Sequence, residues 1–338
     1  MGSRLLTFGA QMVARARNTL WYAPFIVWTH RYDRLDLRPG LLSLVVSSML
    51  RPRRISDVRR RWLATRLPVE ADTLTPDGAP IDLLVISHPK DFSSLPLCIN
   101  SSVQNSRNQI AGIFVVVPDY AVPLCQKIMS DHEIQASVIG ETRILERSLI
   151  ADLEASFGQA RHGWILQQLL TITHCLKSSA KGVLVVNADT IITRPRVWLD
   201  SNGTQSLLVS SEHVAEYYAF LADLGIGCVP PQYTFVTHHM LFQPDVLREL
   251  CAGLSADEFV RDLASEIIKS RRIGQAAFCV EFELYAQHLV QAHPSKYRLV
   301  KFANRPVYGD FDEQQMIDES NKRRGSYSSV SFHAYLRE

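Results

Sequence analysis

Three short apolar runs set the tightest limit on what this chain can fold into. They are Ile81-Asp82-Leu83-Leu84-Val85-Ile86-Ser87, Ala111-Gly112-Ile113-Phe114-Val115-Val116-Val117-Pro118 and Gly182-Val183-Leu184-Val185-Val186-Asn187. Each is short and ends at Ser, Pro or Asn, the pattern of a strand covered on both faces. Stretches with helical spacing lie between them: residues 92–108, 144–155 and 163–176, the last with Trp164, Leu166, Leu169 and Leu170. Residues 138–139 read as a further brief strand. Strands alternating with helices predict an α/β fold whose mainly parallel sheet is flanked by helices. Beyond these, residues 206–211 and 233–242 read as strands. Residues 245–253, 256–270 and 278–290 read as helices, and the part from Arg298 onward is mixed.

The 338 residues are 46% hydrophobic and 21% charged, which excludes intrinsic disorder and fibrous repeats. The longest apolar runs, residues 21–28 and 41–50, fall well short of the ~18–20 residues that span a bilayer. No small-residue cleavage pattern follows either run, and Leu6 stands where a myristoylation signal needs Ser or Thr. The six cysteines lack metal-knuckle or CxxC spacing and are expected as reduced core residues of a cytoplasmic protein.

The formal charge of +2 conceals an asymmetry. Residues 1–69 carry thirteen arginines, no lysine and three acids, so the remainder is strongly acidic. Trp21, Tyr22, Phe25, Trp28 and Trp62 are interleaved with this charge. The segment reads as a basic helical N-terminal region. It packs as an extra layer, rests peripherally on an anionic membrane surface at the inner face of the cytoplasmic membrane, or meets another protein. Nucleic acid is not expected as a partner. The polar stretch 68–80, with Thr75-Pro76-Asp77-Gly78-Ala79-Pro80, reads as a linker to a second region, residues 80–338.

The chemistry concentrates where the third apolar run ends, in Asn187-Ala188-Asp189-Thr190-Ile191-Ile192-Thr193-Arg194-Pro195. Ligands of parallel sheets gather at the carboxyl ends of strands. Asp and Asn there offer oxygen ligands to Mg²⁺ or Mn²⁺, which would bridge a diphosphate. The same residues also suit an Asx turn in which Asp189 caps the next segment.

This segment resembles the DxD element of GT-A-type glycosyltransferases. Four further pieces are similar to a bacterial family of GT-A-like proteins. They are Gly163-Trp164-Ile165-Leu166-Gln167-Gln168-Leu169-Leu170, then Phe235-Val236-Thr237-His238-His239-Met240-Leu241-Phe242, then Val280-Glu281-Phe282-Glu283-Leu284-Tyr285, then Ser331-Phe332-His333. The resemblance runs over roughly residues 80–335 and departs from the pattern at Asn187, where the first acid of DxD would stand. It implies a GT-A-like, Rossmann-like domain over 80–338. The implied activity is transfer of sugar from a nucleotide-sugar donor to a glycan or lipid-linked acceptor, assisted by Mn²⁺ or Mg²⁺.

By the same resemblance, Asp189, Asn187 and His333 are the expected metal ligands, with Asn187 and Asp189 also touching the donor. Ser87, Lys90 and Asp91, in the turn after the first strand, are expected to meet base, ribose or phosphate. An N-cap role for Asp91 stays open. Arg161 is placed to meet the diphosphate, and Trp164 and Gln168 to meet the donor. A core helix with solvated glutamines is the alternative for the last two. Glu281 lies beside an apolar helix face that would raise its pKa, and is the expected general base. A helix N-terminal acid is the other reading of it. His238, His239 and Glu283 are expected toward acceptor or sugar, the two histidines pointing to opposite faces of a strand. Two other functions fit the same residues. One is a nucleotidyltransferase, which the glycine-free turn 87–91 disfavours. The other is a non-catalytic module that binds nucleotide-sugar or glycan, which Asn187 keeps open.

Overall fold

The computed structural model describes residues 63–64, 66–69, 74–75, 80–227, 231–272 and 278–333. The basic, aromatic-rich stretch, with the membrane contact expected of it, therefore lies almost wholly outside the described residues, as does Cys228. The described residues belong to a compact unit that begins at Arg59. The end of the basic segment already packs on that unit. Ala64 is buried, the Lys301 N–H donates to the Pro68 carbonyl at 2.7 Å, and Arg196 Nη2 donates to the Val69 carbonyl at 2.9 Å. No helix among the described residues is long and apolar enough to cross a membrane.

Among the described residues, ten strands form three sheets: β1 (Ile81–Ile86), β2 (Ile110–Val117), β3 (Ser137–Gly140), β4 (Val183–Val186), β5 (Thr190–Ile192), β6 (Gln205–Val209), β7 (His239–Phe242), β8 (Tyr297–Lys301), β9 (Asn304–Tyr308) and β10 (Ser329–His333). The central sheet has the order β3-β2-β1-β4-β7. Its first four strands run parallel and β7 runs antiparallel to β4. The helices are α1 (Leu95–Gln104), α2 (Val122–Asp131), α3 (Arg147–Phe157), α4 (Gln159–Lys177), α5 (Ala215–Asp223), α6 (Pro244–Arg248), α7 (Ala256–Arg272), α8 (Phe282–Ala292) and α9 (Glu313–Arg323).

Period-2 alternation sends neighbouring side chains of the sheet into two separate cores. Leu84, Val183 and Val185 join a core with α3, α4, α7 and α8. Leu83, Val85, Leu184 and Val186 join another with α1 and α2. The result is a three-layer α/β fold with the mostly parallel sheet in the middle. Two glycines make it close. Gly158, at φ 68°, turns α3 into α4 in a conformation that side chains resist. A Cβ on Gly182 would stand 2.9 Å from Leu241 Cδ1.

Two elements differ from the sequence reading. Only His239–Phe242 of residues 233–242 is strand, because β7 has β4 as its sheet partner and β4 is four residues long. Helix α8 starts at Phe282 rather than 278. The main chain of Phe278 and Val280 is held instead by the Gln168 side chain, which donates to the Phe278 carbonyl at 3.3 Å and accepts from the Val280 N–H at 2.7 Å.

Candidate active site

The order of the central sheet locates the site. The chain leaves β1 for β2 on one side and returns to β4 on the other, and in sheets of this order ligands gather where the strand order reverses, at the carboxyl ends of β1 and β4. The turn after β4 is clamped from three directions. The Thr190 N–H donates to the Asn187 carbonyl at 2.9 Å. Ser94 Oγ, at the start of α1, donates to the Ala188 carbonyl at 2.9 Å. The Asn187 N–H donates to the His238 carbonyl at 2.8 Å.

His333 reaches this turn through strand register. β10 pairs antiparallel with β5, Ser331 opposite Thr190, so the chain two residues on comes up beside Asp189. The Phe332 N–H donates to the Asp189 carbonyl at 2.8 Å, and His333 Nδ1 lies 3.1 Å from Asp189 Oδ2. His238 completes the group, its ring centroid 5.2 Å from that of His333. Burial pushes the Asp189 carboxyl up. The hydrogen bond from His333, the charges of His238 and His333 and the Thr190 hydroxyl outweigh it, and the carboxyl ends below its ordinary value. It is therefore ionised at neutral pH and only accepts, so His333 Nδ1 carries the proton in this contact. Burial lowers His238 to about 4, against the pull of Asp189, so its ring is neutral.

Asn187 is tied by both ends of its amide. Its Oδ1 accepts from Gln167 Nε2 at 3.3 Å and its Nδ2 meets His238 Nδ1 at 3.2 Å. Gln167 thus holds the position that the sequence reading had offered to Gln168. Gln168 faces the core and braces Phe278 and Val280.

The turn after β1 lies beside this group. Burial raises Asp91 to about 6, with Lys90 lowering it, Asp189 raising it and His333 lowering it. Ser87 is buried, and its Oγ has no hydrogen-bond partner among the described residues. The start of α4 approaches the same turn, because the charge of His162 acts on His88. Arg161, in that first helical turn, is exposed. Trp164 is also exposed and leans on Tyr217, with centroids 6.1 Å apart.

Three expected site residues stand apart from Asp189. Glu281 is buried at the N-cap of α8. Its charge acts on Cys175, and burial raises it to about 7 while Thr171 offsets part of the rise. Glu283 is fully buried and accepts from Tyr218 Oη at 2.7 Å, from the Phe235 N–H and from Gln287 Nε2 at 2.9 Å. It ties α5, the segment before β7 and α8 together. His239 packs its ring on Trp198 and Phe302, at 5.6 Å from each.

The donor chemistry at Asp189 suits a divalent ion. An ionised carboxylate and an imidazole stand side by side, and a buried hydroxyl without a partner lies in the neighbouring turn.

No protein-family description and no curated relative matches the chain. Solved structures similar to it include mouse xyloside xylosyltransferase 1 in its apo form. That likeness has 10% identity and a TM-score of 0.42, covering 76% of this chain and 98% of the other. Another is the galactosyltransferase LgtC in complex with donor and acceptor sugar analogues. It has 10% identity and a TM-score of 0.41, covering 75% of this chain and 88% of that one.

Proposed function

We propose that this chain is a GT-A-type glycosyltransferase that moves a sugar from a nucleotide-sugar donor to a glycan or lipid-linked acceptor. The observation that carries this reading is the meeting of Asp189 and His333. These residues, 144 positions apart, come together at the carboxyl edge of β4, beside the turn that follows β1. Asp189 and His333 would hold Mn²⁺ or Mg²⁺, with Asn187 set by Gln167 and His238 beside them. Such an ion, when bound, offsets the charge that develops on a departing nucleotide diphosphate.

The chain's own residues supply the rest. Ser87 and Asp91 offer hydroxyl and carboxyl groups to ribose or base, while Lys90 and Arg161 bring positive charge to the phosphates. Trp164 presents an exposed ring beside them, suited to the apolar face of a sugar. His238, neutral at pH 7, accepts or donates without adding a charge next to the leaving group. The arginine-rich residues 1–69 agree with an acceptor at an anionic membrane. A chain beginning near Pro68 should then fail to co-sediment with anionic vesicles that retain the full chain at low salt.

The test is release of free sugar from a panel of UDP-, GDP-, CMP- and dTDP-sugars, without acceptor and with or without Mn²⁺. We expect metal-dependent turnover with at least one donor, abolished in a folded Asp189→Ala protein. Unchanged turnover in that variant overturns the assignment of the site. Binding of a donor without any turnover favours a non-catalytic module.

A further inference from the structure

A second cluster of ligating side chains lies at the opposite edge of the sheet. β7 runs antiparallel to β4 with His239 opposite Val186 and Phe242 opposite Val183, so the chain leaves β7 where β4 begins, far from Asp189. It then forms α6 and the short turn Glu249–Cys251. Glu249 Oε2 lies 2.7 Å from His293 Nε2 and 3.3 Å from His288 Nε2. The two histidines come from the last turns of α8 and the residue after it. Among the described residues, this is the one group of three His, Cys, Asp or Glu side chains whose ligand atoms all lie within 4.8 Å of one another.

The backbone under these side chains is held firmly. Arg248 Nε donates to the Leu176 carbonyl at 3.0 Å, and its Nη2 reaches the Ser178 carbonyl, so the residue before Glu249 is fixed to the end of α4. The His293 N–H donates to the Leu289 carbonyl at 2.9 Å, and its own carbonyl accepts from Lys296 at 3.0 Å. The histidine side chains are 18% and 22% exposed and that of Glu249 43%, so the imidazoles are mostly enclosed while one side stays open to water.

We propose that Glu249, His288 and His293 form a zinc site, with water in the fourth position. Two imidazole nitrogens and one carboxylate oxygen are a donor set that zinc accepts and that hard ions such as Mg²⁺ and Ca²⁺ do not favour. The spacing fits as well. Bonds of about 2.0–2.1 Å in tetrahedral arrangement put neighbouring ligand atoms roughly 3.3 Å apart. The His288 contact, at 3.3 Å, already has that value, and the His293 contact, at 2.7 Å, needs to open by about 0.6 Å. All three ligand atoms lie within 4.8 Å of one another, within reach of small side-chain rotations. Zinc here would clasp the end of α8 to the turn after α6. The site stands on its own geometry, independent of the reading of Asp189.

The experiment uses the untagged full chain, stripped with chelator and titrated with zinc against a chromophoric competitor. An Asp189→Asn, His333→Gln double variant removes the other candidate site. We expect it to retain one equivalent of zinc, undisplaced by millimolar Mg²⁺. Glu249→Gln, His288→Gln and His293→Gln should each weaken that equivalent by about 100-fold or more, since losing even a supporting partner of a ligand costs ~10–100-fold. Glu249 is the most exposed of the three, so its variant keeps the test valid if a histidine variant fails to fold. Cobalt alone should give the visible absorption of a four-coordinate ion in the wild type and lose it in Glu249→Gln. Absence of tight zinc in the double variant, or zinc binding unmoved by the Glu249 and histidine substitutions, overturns the proposal.

Discussion

Asp189 and Glu281 are both carboxylates withdrawn from water, one at the carboxyl edge of the sheet and the other in the layer of α4 and α8. Asp189 meets His333 at 3.1 Å and the Thr190 hydroxyl at 3.2 Å, and falls below its ordinary pKa. Glu281 has one oxygen with no hydrogen-bond partner among the described residues, and rises to about 7. Glu283, two residues on, accepts three hydrogen bonds and still rises to about 7, because burial outweighs its neutral donors. Hydrogen bonds from neutral groups are thus too little to keep a buried carboxyl ionised in this fold. Asp189 differs in its partners: an imidazole 3.1 Å away and the Thr190 hydroxyl lie against its carboxylate, with a second imidazole, that of His238, close by.

The sharpest way to break this contrast is Asp189→Asn. It should lower donor turnover by about 10³-fold or more, the scale of losing an electrostatic stabiliser of the transition state. Thermal stability should change little, so both belong in one measurement. Next in size is Glu283→Ala, which strands Tyr218, the Phe235 N–H and Gln287 in the core. A loss of about 3–5 kcal/mol in urea unfolding is expected, with Glu283→Gln much milder. If the two Glu283 variants are equally damaging, the carboxylate does more than accept hydrogen bonds.

The third effect is on pH dependence. Glu281 and Glu283 rise from 4.5 to about 7 in the folded chain. Between those values the unfolded chain has released its protons while the folded chain keeps them, so stability falls as pH climbs from about 4.5 through 7. Each group contributes about 3 kcal/mol to that fall, at 1.36 kcal/mol per pKa unit. Glu281→Gln should remove about half of that fall, leaving Glu283's share, and leave turnover nearly intact. A drop of ~10²–10⁴ in turnover at unchanged stability would instead place Glu281 in the chemistry. The smallest expected effect is that of Gln167→Ala. It frees one end of the Asn187 amide and should cost about tenfold in kcat with KM for the donor nearly constant. An effect on KM alone would mean that Gln167 contacts the donor directly.

Strands β1, β2 and β4 were legible because a central parallel strand is covered on both faces and reads as a continuous apolar run. β10 was not. Its hydroxyls Ser329 and Ser331 look like loop residues, yet both bond the Asn304 side chain, and Ser331 also meets Thr190 at 2.9 Å. Such a strand declares itself only through partners far away in sequence, and His333 was reached by resemblance rather than by pattern. Gln167 and Gln168 show a finer limit. Adjacent positions on a helix point about 100° apart. Which of the two meets Asn187 and which braces Phe278 depends on the helix's rotation against the sheet. The zinc candidates His288 and His293 do have the H-x4-H spacing of paired zinc ligands, but the third, Glu249, lies 39 positions earlier in a turn after α6, and only the fold brings it to them.

The pairing of β10 with β5 also has a meaning in time. A growing chain carries Asp189 144 positions ahead of His333, so the carboxylate is made long before its imidazole partner. Only when β10 slots between β5 and β9 does the carboxylate acquire its partner. A chain clipped before β10 would carry all five strands of the central sheet in its sequence and yet lack the imidazole that meets Asp189.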